Sequence, residues 1–107
     1  MPPPLEPNLA NRRQAIDAIH DCLIELFPAA EVRGPADYFE IEETRWRIAG
    51  LEGGPIRLRV SRPALEHHPA AILVEQVRTY VPQMIHETKH RSIWIRRGGD
   101  FPIVAKG

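Results

Sequence analysis

The chain has a single cysteine, Cys22, which excludes an intramolecular disulfide and any cysteine-based zinc site. Such sparing use fits a reducing compartment. There are two serines, Ser61 and Ser92, and neither sits in a nucleophile elbow. No phosphate-binding loop and no dinucleotide fingerprint is present, so Gly53-Gly54 and Gly98-Gly99 read as turns. No apolar run reaches membrane-spanning length, and the start MPPPLEPN lacks the apolar core of a secretory signal. These absences lead to an expected cytoplasmic location with no membrane partner. They also lean against an enzyme and give no sign of a cofactor.

What is present suits one small globular domain. The chain has 107 residues, of which 43% are hydrophobic and 26% charged. Its formal net charge is zero, but the charges are segregated. Residues 1–43 carry three basic and nine acidic side chains, and residues 44–107 carry eleven basic and five acidic. Such asymmetry either marks an interaction surface or is paired away where the two halves pack.

Residues 1–8 read as a disordered proline-rich tail and 9–107 as the folded domain. From Leu9, with Asn8 or Asn11 as a helix cap, Ile16, Ile19, Leu23, Leu26 and Phe27 recur at helical spacing up to Pro28. Cys22 borders this stripe and is expected to be buried and inert, because its near neighbours Asp17, Asp21 and Glu25 are acidic. The segment VRGPAD (32–37) reads as a turn or loop. Alternation then begins at Phe39 and Ile41 and continues through Trp46 and Ile48. After the turn at Gly53-Gly54 it resumes at Ile56, Leu58 and Val60, which predicts a hairpin. Residues 38–49 are one bent strand or two. SRPALEHHP is a connector containing one helical turn, and His67 and His68 before Pro69 read as solvated. A second helix follows, with Leu73, Val74, Val77, Val81, Met84 and Ile85 as its stripe and Pro82 inside the pattern. SIWIRR is predicted as a strand and FPIVA as a short edge strand. The order α-β-β(-β)-α-β(-β) predicts an α+β fold, an antiparallel sheet with two helices packed on one face.

Residues 86–90, HETKH, match the zinc-protease pattern H-E-x-x-H. On a continued helix wheel of about 100° per residue, His86 and His90 fall roughly 220° and 260° from Leu73, opposite the apolar stripe. No third ligand is recognisable, and a lysine occupies the middle of the motif. His86 and His90 are therefore weak metal candidates, and a metal-dependent hydrolase is the remote alternative.

The stronger feature is the hairpin's second face. Arg45, Arg47, Arg57 and Arg59 alternate out of phase with the apolar residues, and Arg62, Arg96 and Arg97 extend the set. Guanidiniums on a sheet face grip carboxylates or phosphates in a forked geometry. Alternatively they only keep the face soluble, paired with Glu40, Glu42 and Glu43 of the neighbouring strand. The expected function is a binding module that contacts an acidic partner protein through Arg45, Arg47, Arg57, Arg59, Arg62 and Arg96. A second copy of the chain, using its acidic half, is one such partner. The alternative is RNA or DNA binding by the same face. Trp94 would assist by stacking if Ile93 and Ile95 turn inward.

The stretches RWRIAGLEGGPIRLRVSRPALEHH and ILVEQVRTYVPQMI resemble one of the small uncharacterised protein families of Burkholderia-type bacteria. The resemblance covers most of the chain and implies no substrate and no catalytic residues. The element order also resembles that of double-stranded-RNA-binding domains. Those domains carry lysines at the start of the last helix, where this chain has HHPAAI.

Overall fold

A computed structural model describes residues 7–106. The elements are α1 (Pro7–Leu26), β1 (Glu31–Tyr38), β2 (Glu43–Ala49), β3 (Ile56–Ser61), α2 (Arg62–His67), α3 (Ala70–Tyr80), β4 (Ser92–Arg96) and β5 (Ile103–Lys106). Short 3-10 turns cover Phe39–Ile41 and Pro82–His86. The protein is α+β, with five strands in the order β1-β2-β3-β4-β5. One face of the sheet is buried under the helices, and α1 packs on α2 and α3.

Three expectations are corrected. The sheet is antiparallel except between β3 and β4, which run parallel. Parallel neighbours need a long crossover, and α2 and α3 supply it. The connector SRPALEHHP is not a single turn but the separate helix α2. The Ser61 side chain accepts from the Ala64 N–H and Pro63 occupies the first turn, where a missing N–H does no harm. The segment 32–37 is not a loop but lies within strand β1. A break in pairing register between Arg33 and Ala36 absorbs Gly34 and Pro35, which an edge strand tolerates. Residues 38–49 are neither one bent strand nor two: Tyr38 ends β1, Phe39–Ile41 form the 3-10 turn, and only Glu43–Ala49 is a strand.

The expected tail falls mostly on residues 1–6, outside those described, while Pro7 and Asn8 already belong to α1. Asn11 is not a cap. Its side-chain amide donates to the backbone carbonyls of Leu65 and His68, both at 2.8 Å, and so ties α1 to the end of α2.

The inward phase of the hairpin is as the alternation predicts. Trp46, Ile48, Ile56, Leu58 and Val60 are buried, joined by Ile93 and Ile95 of β4. From the helices come Ala15, Ile19, Leu23, Leu65, Leu73 and Val77. Each fully buried aliphatic side chain contributes about 1.5–3 kcal/mol relative to exposure. The α-helix of α3 ends before Pro82, which opens the tighter turn that carries Met84 into the core. No helix among the described residues is long and apolar enough to cross a membrane.

Candidate functional site

Alternation on β2 and β3 turns residues 43, 45, 47, 57, 59 and 61 away from the helices. Register then lines them up across the sheet. Arg33, Arg47, Arg57 and Ser92 form one row, and Ala36, Arg45, Arg59, Trp94 and Ala105 the next. Tyr38, Glu43 and Ser61 form the third, on the side away from the first.

The second and third rows are satisfied from within. The Glu43 side chain is only 4% exposed although it lies on the open face, because Arg45 and Arg59 fold over it. Arg59 donates from Nε at 3.0 Å and from Nη2 at 2.6 Å, a forked pair, and Arg45 donates from Nε at 3.0 Å. The Arg59 hydrogen bonds hold the Glu43 carboxyl below its ordinary range, against the opposing effect of burial, with Arg45 adding to the lowering. The Arg45 guanidinium lies over the Tyr38 ring at 4.4 Å. Trp94 turns outward as its neighbours Ile93 and Ile95 turn inward. Its ring faces the guanidiniums of Arg59 at 4.7 Å and Arg96 at 4.5 Å.

The first row is different. Arg33 is paired with Glu31 at 3.1 Å. Arg47 and Arg57 are exposed, sit directly opposite each other on β2 and β3, and form no ion pair among the described residues. Arg47 acts only at longer range on Glu31, whose carboxyl pKa Arg33 lowers most and Arg47 lowers further. Like charges placed opposite one another destabilise a sheet. Arg47 and Arg57 line a concave depression of about 680 Å³, together with Arg33, Arg45, Arg59, Tyr38, Ala36 and Ser92, with the buried Trp46 and Leu58 beneath it. A second depression of about 380 Å³ shares Arg57 and Ser92 with the first and adds Lys89, His90 and Arg91.

The six candidate arginines therefore separate. Arg47 and Arg57 are available to a ligand. Arg45 and Arg59 are engaged by Glu43, and Arg96 is stacked on Trp94. Arg62 begins α2 and pairs with Glu66 at 2.8 Å, apart from this depression. Of the three glutamates expected to cover the face, only Glu43 does so.

The sequence hides Arg33 because Gly34-Pro35 beside it signals a loop, whereas Tyr38, in the segment expected to be strand, carries no pattern that marks it for the arginine face. Arg91 escaped because its role is long-range. Its two terminal nitrogens donate to the carbonyls of Ile85, Glu87, Glu52 and Gly54, clamping the hairpin turn to the segment before β4.

HETKH is not helical throughout. His86 ends the 3-10 turn, Glu87 is extended, and Thr88 to His90 form an irregular loop. The spacing of four therefore does not bring the imidazoles onto one helix face. Both histidines are exposed, and Glu87 pairs with Lys106. No group of three or more His, Cys, Asp or Glu side chains among the described residues is placed to hold a metal ion. These residues do not fit a zinc-protease centre.

His68 is a correction. Rather than solvated it is 3% exposed, and its Nε2 accepts from the Gly98 N–H at 3.1 Å. Burial lowers its pKa from 6.5, helped by the nearby Arg97 and His67. Cys22 is buried as expected, and burial raises its thiol pKa despite the opposing charge of Arg78.

No family model matches the chain, and neither a curated protein nor a solved structure matches it.

Proposed function

We propose that this chain is a non-catalytic binding module that contacts an acidic protein partner through its open sheet face, with Arg47 and Arg57 as the gripping residues. One observation carries the reading. Two exposed guanidiniums face each other in register, outside any ion pair among the described residues, in a depression whose rim is largely arginine. A carboxylate set between them relieves their repulsion and accepts forked hydrogen bonds from both. The rest of the face is built to hold itself together, so it contributes shape more than free charge.

A specific observation also favours nucleic acid as a second reading: Tyr38 and Trp94 stand among the arginines. Single strands stack on such rings and on guanidinium planes. Here each ring already carries a guanidinium, which an arriving base has to share or displace, so the acidic-protein reading stands first.

Fluorescence anisotropy separates the two. A labelled Glu/Asp-rich peptide is expected to bind in low salt, and Arg47→Ala with Arg57→Ala to weaken it by at least about tenfold, or roughly 1.4 kcal/mol. Generic single-stranded RNA or DNA binding instead, with a log–log salt slope near the number of phosphates engaged, transfers the assignment to the second reading. If neither probe binds, the face is not a binding surface.

A further inference from the structure

We propose that the acidic partner of the arginine face is a second copy of this chain, whose β1–β2 turn enters the depression. The inference rests on the reading of the face given above and names its occupant.

The turn has the features the depression lacks. Phe39 is 72% exposed and Ile41 50%, the largest apolar exposure on that end of the molecule, and Tyr38 beside them is also exposed. Glu40 and Glu42 alternate with them, both exposed and both without an ion-pair partner among the described residues. Glu42 closes the turn in the left-handed region at φ 52°, its N–H donating to the Phe39 carbonyl at 3.3 Å. The result is a short knob bearing two apolar side chains and two carboxylates. The depression offers the converse charge, with exposed Gly34 and Ala36 beside Arg47 and Arg57, two guanidiniums outside any ion pair among the described residues. Exposed apolar groups next to unpaired charges are the composition of a contact surface.

The chain cannot satisfy itself in this way. Glu43, which follows the turn, and Arg47, at the depression, lie four positions apart on the same strand, roughly 13 Å. The knob springs from one end of that strand and the free guanidiniums sit toward the other. Within one chain Glu40 and Glu42 do not pair with Arg47 or Arg57, whereas a head-to-tail or reciprocal contact between copies brings them together.

Sedimentation velocity over a range of protein concentrations tests this in about 50 mM and about 500 mM salt. The wild-type chain is expected to self-associate at the lower salt and to dissociate at the higher. Arg47→Glu/Arg57→Glu and Glu40→Arg/Glu42→Arg are each expected to be monomeric. Their equimolar mixture is expected to associate, because each supplies the charge the other lost. All four positions are exposed, so unchanged circular dichroism and melting establish that the variants are folded. Phe39→Ser, which alters no charge, is expected to weaken association at both salts.

The inference is overturned if the wild type stays monomeric throughout, if both double variants associate like wild type, or if their mixture remains monomeric. The acidic-peptide titration, run on the same samples, keeps the two ideas apart. A monomeric wild type that binds the peptide through Arg47 and Arg57 overturns self-recognition and leaves the binding module standing. A monomeric wild type that binds no peptide overturns both.

Discussion

Glu43 is the acid on which the arginine face depends. It is almost wholly enclosed and accepts three hydrogen bonds from two guanidiniums, so an amide in its place leaves Arg45 and Arg59 facing each other uncompensated. Both arginines are about a third exposed, so water offsets part of the loss when the acid is removed. We expect Glu43→Gln to lower the unfolding free energy by about 1–2 kcal/mol in a denaturant titration. Glu40→Gln and Glu42→Gln, at exposed positions without a partner, should each change it by less than about 0.5 kcal/mol. Alternation in the sequence revealed which side Arg45 and Trp46 occupy. It did not reveal which of the acids at 40, 42 and 43 does the pairing, because that depends on where the strand begins. Phe39 and Ile41 alternate as a strand would, yet they lie in a turn.

Strand β1 was hidden by its own composition. Glycine and proline in sequence signal a loop, and here they sit in a register break of an edge strand. Gly34 explains why the glycine is needed. Its φ is 120°, and a Cβ there would lie 2.7 Å from the Arg45 carbonyl oxygen, a backbone atom that cannot swing aside. Gly34→Ala is therefore expected to destabilise the protein by about 2 kcal/mol. Amide exchange should show the loss first in β1, whereas Gly99→Ala, with open space around it, serves as the control. The parallel strand β4 was legible as a strand but not as a parallel one, since its direction follows from how α2 and α3 fold back. HETKH carried its misleading pattern for a related reason. Five letters imply a helical face only if the helix continues, and Pro82 had already changed the geometry.

For the whole molecule, two buried groups shape the acid limb of stability, and both act in the same direction. His68 has a folded pKa below its unfolded value of about 6.5, so the unfolded chain binds the extra proton first. Its contribution is complete above about pH 6.5 and is lost as the pH falls below that value. Glu43, also lowered from 4.5, contributes fully above that value and loses its contribution as the pH falls through its folded pKa. Melting temperature is thus expected to fall from pH 7 to pH 5, and again below about pH 4.5. His68→Gln, which keeps an acceptor for the Gly98 N–H, should flatten the upper step and leave the lower one. The crossover between β3 and β4 bears on how the protein is made. During synthesis β3 leaves the ribosome about thirty residues before the strand that will flank it, counting Arg62 to Arg91. For that interval a central strand with one apolar face has a bare outer margin, able to recruit a neighbouring nascent chain. A fragment ending at His67 should accordingly aggregate at a lower concentration than the 107-residue chain, as light scattering would show.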